Sequence, residues 1–380
     1  MGVLLYFLAL CYRVPLYMIQ DDSHYHIYST TKDAWDGMMT AIQLARKSIY
    51  WELYIFVDDE VGTTFFDVLE KKAKEGVDVK LIVDWFRSFF LSRKKVKALK
   101  AAGVDVQIFH ARMHRYRGWY KIFRSRTHRK MLIVDEQIGF IGGVNIHKSM
   151  EDWLDIHIRL EGVIVRSLLR EFAKQYLVSG GKRSLVRHIL SYKKRHFLKN
   201  IRLVFDDAHE KNSSVRDVYR QAFLKAKQRV ILFTPYYLPD KQFIQLLWKA
   251  RKRGVKIDLL LPFRSDIRIA TYAAYAWFGI LSTMGINVRF TKQMMHGKGI
   301  IVDDDWAMVG SSNITQDSFF DHYEANVAFK DKQFVKTLTA VLSKWFAASV
   351  SLQDIGWKKR GIWQRTKEWL CSMIYRVWHH

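Results

Sequence analysis

Two stretches of this chain carry the same three polar residues at the same spacing: His128, Lys130 and Asp135, and His296, Lys298 and Asp303. In each, histidine and lysine stand two apart, and four largely apolar residues separate the lysine from the aspartate. Side chains two apart on a strand share a face, so one imidazole and one ammonium can reach the same anion. Each copy then runs to a corner of small residues ending in asparagine, Gly142-Gly143-Val144-Asn145 and Gly310-Ser311-Ser312-Asn313. Such corners present backbone N–H groups and the Asn amide to an anion. Cleaving a phosphodiester requires a nucleophile, an acid for the departing alkoxide and cations around the remaining oxygens. Two histidines, two lysines and two asparagines supply that set without metal or cofactor. One copy alone lacks the second histidine.

The elements around the motifs are duplicated too. Residues 44–84 read as strand, helix, glycine turn and strand, and residues 225–262 repeat the order. The runs Ile49–Val57 and Val230–Tyr237 are short and apolar, as expected of buried parallel strands. Gly76 and Gly254 stand where a helix should end in a left-handed cap. A further glycine and strand, Gly103–Phe109 and Gly285–Phe290, lead towards each motif. Alternating strands and helices predict an α/β fold with two pseudo-twofold-related domains in one chain. The expected division is an apolar N-terminal segment over 1–30, a first domain over 31–180, a basic linker over 181–200, a second domain over 201–350 and a basic C-terminal segment over 351–380. One asymmetry stands out. The stretch His110–Thr127, which interleaves cations with aromatics, has only Thr291–Met295 as its counterpart.

The chain has 380 residues and a formal charge of +25, so a polyanionic partner is expected, either nucleic acid or an anionic membrane surface. Its two cysteines, Cys11 and Cys371, lie near opposite ends and suit a reducing compartment. The 14 histidines are scattered without metal-ligand spacing, so no metal is expected. Residues 1–19 are apolar apart from Arg13, and read as a membrane-dipping segment or an apolar element docked on the body. The basic C-terminal segment carries Trp363, Trp369 and Trp378 at helical spacing, the pattern of an interfacial helix on anionic lipid.

The duplicated motif resembles the signature of the phospholipase D superfamily, and the resemblance covers roughly Ala34 to Phe346. It implies two phospholipase D-like α/β/α sandwich domains. It also implies that His128 is the nucleophile, that His296 is general acid and then base, and that Lys130, Lys298, Asn145 and Asn313 bind the phosphate. Asp135 and Asp303 complete the catalytic motif, with a structural part expected for both. Asp155 follows His128 by 27 residues and Glu324 follows His296 by 28; the resemblance implies that these carboxylates orient the histidines. Within the superfamily the chain is most similar to bacterial cardiolipin synthases, on Trp51-Glu-Leu-Tyr-Ile-Phe56, Thr234-Pro-Tyr-Tyr237, Trp153-Leu-Asp155 and the basic tail. That likeness implies phosphatidyl transfer between phospholipids at the cytoplasmic face of the cell membrane, with peripheral or shallow attachment and no role for nucleic acid. Hydrolysis of phospholipids and a nuclease activity stay open as alternatives, as does the oligomeric state.

Overall fold

A computed structural model describes residues 24–109, 125–192, 197–198, 200–208 and 213–379. Residues 1–23 of the apolar N-terminal segment, most of the stretch 110–127 and the Lys193-Lys194-Arg195 cluster lie outside them; the segment's last residues form the first strand of the first sheet and so belong to the first domain.

The period-two apolar pattern of the motif strands builds two sheets with the same topology. In the first half the strands are β1 (Tyr25–Thr30), β2 (Ser48–Leu53), β3 (Asp78–Asp84), β4 (Asp105–Phe109), β5 (Met131–Val134), β6 (Ile138–Gly142) and β7 (Leu154–Glu161). In the second half they are β8 (Ile201–Asp206), β9 (Arg229–Phe233), β10 (Lys256–Pro262), β11 (Asn287–Thr291), β12 (Gly299–Val302), β13 (Trp306–Gly310) and β14 (His322–Phe329). The order is β1-β7-β6-β5-β2-β3-β4 in one sheet and β8-β14-β13-β12-β9-β10-β11 in the other. Every strand of the first half thus has its equivalent seven places later. The second sheet gains three short strands: β15 (Ser349–Ser351) and Phe197–Leu198 at its edges, and Arg126–Thr127, contributed by the first half, alongside the start of β14.

The sheets are mixed rather than parallel throughout. β2, β3 and β4 run parallel, whereas β5, β6 and β7 form an antiparallel meander against β2. The reason is local: a three-residue turn joins β5 to β6, and only antiparallel neighbours can be joined so tightly. The predicted runs Ile49–Val57 and Val230–Tyr237 leave their sheets earlier than expected, after Leu53 and Phe233. Beyond that point Ile55 donates its N–H to Asn145 Oδ1 at 3.1 Å, and Pro235 has no N–H to give.

Helices α1 (Thr31–Leu44), α2 (Glu60–Lys74) and α3 (Arg93–Ala101) cover the outer face of the first sheet. Helices α5 (Ser214–Lys225), α6 (Lys241–Lys252) and α7 (Arg268–Thr283) cover the outer face of the second. Between the sheets lie α4 (Val165–Val178) and α8 (Lys332–Ala347). Strand alternation sorts the side chains: Ile49, Trp51 and Leu132 face the outer helices, and Tyr50, Met131 and Ile133 face inward. Inward residues of both sheets, with Leu168 and Phe172 of α4 and Leu338 and Leu342 of α8, form one shared core. Each such side chain contributes about 1.5–3 kcal/mol on burial, so this core couples the halves strongly.

Asp59, Ser92, Ser213 and Asp240 cap α2, α3, α5 and α6 through their side-chain oxygens. Gly76 and Gly254 take φ of +90° and +87° at the ends of α2 and α6, the left-handed cap that a Cβ would strain. The C-terminal helix α9 (Ile362–His379) packs on α7 through Cys371 and Tyr375. Among the described residues, no helix is long and apolar enough to cross a membrane.

Candidate active site

Each histidine sits one turn of chain before its strand, His128 ahead of β5 and His296 ahead of β12, and each is held there by the opposite half. Arg126 and Thr127 pair parallel with His322 and Tyr323 of β14, and His128 N–H donates to Tyr323 O at 3.0 Å. In the mirrored contact, His296 N–H donates to Leu154 O at 2.6 Å and Leu154 N–H to Met294 O at 2.9 Å.

That interlock decides the carboxylate partners. His128 Nδ1 lies 3.0 Å from Glu324 Oε1, and His296 Nδ1 lies 2.8 Å from Asp155 Oδ2. The pairs therefore cross: each carboxylate serves the histidine of the other half. With Nδ1 engaged, the Nε2 of each ring is the nitrogen free to work in the cavity that both histidines line. The carboxylates are themselves held. Ser311 donates its hydroxyl to Glu324, and Ile156 N–H donates to Asp155 Oδ1 at 2.7 Å. A Cβ on Gly143 would lie 2.2 Å from Asp155 Oδ1, so a glycine is required where the carboxylate approaches the corner.

Lys130 and Lys298 are buried, and each donates Nζ to the carbonyl of its own histidine, Lys130 to His128 O at 2.6 Å. Lys130 also lies 4.8 Å from the centre of the Tyr54 ring. Burial, joined by repulsion from Lys298, depresses Lys130 well below the usual lysine range, and burial brings Lys298 down to about 8. Burial and neighbouring lysines likewise hold both imidazoles below their usual value, His128 the more strongly. Burial raises the Glu324 carboxyl, whereas His296 and Lys298 outweigh burial at Asp155 and hold it low. The site is thus a desolvated cluster of basic side chains backed by two buried carboxylates.

Asn145 and Asn313 line the same cavity, of about 590 Å³. Asn145 is anchored through Oδ1 by Ile55 N–H, whereas Asn313 Oδ1 is buried without a hydrogen-bond partner among the described residues. Asp135 and Asp303 are not brought to the cavity. They lie at the far ends of β5 and β12, at φ of +52° and +48°. Their Oδ1 atoms accept from the backbone N–H groups of Lys47 and Ser48, and of Gln228 and Arg229. They pin the start of β2 and β9 to the motif strand.

Sequence reasoning did not single out several cavity residues: Tyr54, Tyr236, Arg87, Arg126, Asp266 and His322. Tyr54 meets His128 edge-on at 4.7 Å, and Tyr236 donates to Asp266 at 2.5 Å. His322 lies with its ring 5.5 Å from His128 and its Nδ1 3.9 Å from Glu324 Oε1. Its equivalent in the first half is Trp153, 5.4 Å from His296. The available signal was the His-Tyr-Glu run matched against Trp-Leu-Asp. Among the described residues, His128, His322 and Glu324 are the group whose donor atoms come within 4.8 Å of one another as metal ligands could; His128 and Glu324 already spend theirs on each other.

A mixed α/β body doubled about two crossed histidine–carboxylate pairs defines a phosphodiester-processing enzyme of the phospholipase D superfamily. A family model described as "Cardiolipin synthase, PLD-like domain" matches residues 38–177 and 219–346, and the chain belongs to that family. It is on that ground a phosphatidyltransferase. The chain is 29% identical over 358 residues to the probable cardiolipin synthase YwiE of Bacillus subtilis, covering 92% of this chain and 71% of that protein. It is 27% identical over 362 residues to the cardiolipin synthase of Clostridium perfringens, covering 92% and 75%. Among solved structures, the phosphatidylserine synthase of Haemophilus influenzae superposes with a TM-score of 0.71 at 14% identity, covering 93% of both chains. That likeness carries the fold.

Proposed function

We propose that the protein is a cardiolipin synthase that moves a phosphatidyl group from phosphatidylglycerol to a second phospholipid alcohol through a phosphohistidine. The observation that supports this most is the convergence of two carboxylate-backed imidazoles on one cavity lined by Asn145 and Asn313. His128 Nε2 attacks phosphorus, and the bond from phosphorus to the glycerol oxygen breaks. His296, protonated at Nε2, gives its proton to that oxygen, and glycerol leaves. In the second step neutral His296 takes the proton of the acceptor hydroxyl, the new P–O bond forms, and the P–N bond to His128 breaks. Lys130 and Lys298 offset the charge of the phosphoryl oxygens, and the two asparagine amides donate hydrogen bonds to them. Bound phosphate relieves the repulsion within the cation cluster, which raises the fraction of His296 carrying a proton.

The partners are phospholipid and an anionic membrane surface, and attachment is peripheral, at the cytoplasmic face, through the basic, Trp-rich helix α9. Catalysis requires no divalent metal, so a chelator should leave the rate unchanged. Purified protein incubated with labelled phosphatidylglycerol vesicles should release glycerol and form cardiolipin. Phosphatidic acid as the sole product would reassign the enzyme as a hydrolase, and nicking of DNA without lipid turnover as a nuclease. His128→Ala and His296→Ala should each abolish transfer; survival of either near the wild-type rate refutes the two-histidine mechanism.

A further inference from the structure

Four large apolar side chains line the catalytic cavity and are at the same time broadly exposed: Phe86 (47%), Ile267 (40%), Ile269 (53%) and Ile374 (56%). A residue that is both lining and exposed is part of the rim, so this rim is largely apolar; the exposed Asp266 also lines it and accepts from the Tyr236 hydroxyl. It comes from three separate segments: the turn after β3, the start of α7, and α9. Each segment extends the apolar surface outward. Phe89 and Phe90 follow Phe86 at 70% and 76% exposure, and Trp369, Leu370 and Met373 precede Ile374 on α9. Large apolar side chains exposed together mark an interaction surface. The charge around them is predominantly basic: Arg264 and Arg268 flank Ile267 and outnumber Asp266, and Arg365 and Lys367 stand on α9, all exposed.

We infer that the mouth of the catalytic cavity is itself the membrane-docking face, seated on an anionic bilayer so that a phospholipid enters head first while its acyl chains stay in the membrane. The inference rests on the phospholipid reading above and adds the pose. A cavity of about 590 Å³ is the size that holds a small polar ligand, typically ~300–1,000 Å³; the apolar rim meets the chains. Aromatic and aliphatic rim residues bury in the headgroup–acyl boundary, and the arginines and lysines meet the lipid phosphates. Tyr375 of α9 lines the cavity as its neighbour Ile374 does, so the helix that holds the membrane also forms a wall of the site.

The test uses the full chain with Phe89→Ser/Phe90→Ser and, separately, Trp363→Ser/Trp369→Ser. Binding is read by co-sedimentation with phosphatidylglycerol/phosphatidylcholine vesicles, and turnover on those vesicles and on dihexanoyl phosphatidylglycerol kept monomeric. Both variants should lose vesicle binding and vesicle turnover by about tenfold or more, with turnover of the monomeric lipid unchanged. Raising the salt concentration should weaken vesicle binding of the wild type. Unchanged vesicle binding in the diphenylalanine variant overturns the inference. Equal losses on vesicles and monomeric lipid overturn it as well, since the face would then belong to the catalytic body. If the wild type binds vesicles through these residues but turns over neither lipid, the docking face stands and the synthase reading falls.

Discussion

The crossing of the carboxylates makes a prediction that a same-half arrangement does not. Glu324→Gln keeps volume and a hydrogen-bond acceptor at 3.0 Å from His128 Nδ1 and removes only the charge. Asp155→Asn does the same at 2.8 Å from His296. A hydrogen bond to a charged group contributes about 1.5–3 kcal/mol, and each ~1.4 kcal/mol on a barrier is tenfold in rate. Each variant should therefore lose about 10- to 150-fold in kcat/KM. Addresses separate the two. In nitrogen-15 histidine spectra, Glu324→Gln should move the ring signals of His128, 196 positions away, and leave those of His296, only 28 positions away. Asp155→Asn should do the reverse. Ring signals of His296 that move in Glu324→Gln while those of His128 stand still would refute the crossed assignment and with it the interlock of the two halves.

Other outcomes follow from the same geometry. Lys298 is held at about 8 by burial against an ordinary value of 10.5, so between those pH values the unfolded chain binds more protons than the folded one. Stability then rises with pH across that window, by on the order of 3 kcal/mol from this group alone. Urea midpoints at pH 8 and pH 10 should show a rise in the wild type that is smaller in Lys298→Met; equal rises would show that the lysine is not desolvated. His322 lowers His128 by charge repulsion alongside Lys130 and Lys298, so His322→Asn should raise the His128 value and move the acidic limb of kcat/KM to higher pH. An unmoved limb would remove His322 from the electrostatics of the site. Gly143→Ala puts a methyl group onto Asp155 Oδ1 and should leave the fold cooperative while cutting kcat by about tenfold or more through a misaimed His296; circular dichroism and initial rates together check this.

Much of this was legible in the sequence because it is local. The motif spacing, the duplicated strand–helix–glycine units and the carboxylates near the start of β7 and β14 all repeat along the chain, and the equal strand orders follow from that repeat. The crossing was not legible. Nothing near His128 in sequence says that Arg126 and Thr127 will pair with His322 and Tyr323, because that register is set by the shared core between the sheets. His322 was missed for the same reason: a lone histidine becomes part of a site only once β14 brings it to the first half. The tyrosines of the cavity stood in runs that carried the family likeness, yet whether Tyr54 or Ile55 faces the histidine depends on where β2 leaves its sheet. The expectation of parallel strands for the β2 and β9 runs holds where they meet β3 and β10, whereas apolar content alone does not say that the motif strand on their other side runs antiparallel.

The two halves are equivalent in topology but not in how each holds its carboxylate. In the first half a short Asp155 lies against Gly143, where a Cβ has no room, and takes a backbone N–H from Ile156. In the second half the longer Glu324 is met at the equivalent corner position by Ser311, whose hydroxyl donates to it. Corner and carboxylate therefore form matched sets, glycine with aspartate and serine with glutamate, and neither half can change one member alone without displacing the imidazole of the other. His322 beside His128, where Trp153 stands beside His296, adds a second imidazole to one side only. A carboxylate faced by two imidazoles has less charge to lend either, which favours a neutral His128. Among the described residues Asp155 hydrogen-bonds to one imidazole, that of His296, and burial lowers His296 less strongly than His128, so of the two rings His296 is the readier to carry a proton. The proposed division of labour between two chemically similar histidines therefore rests on the carboxylate and ring neighbours that the other half of the chain supplies.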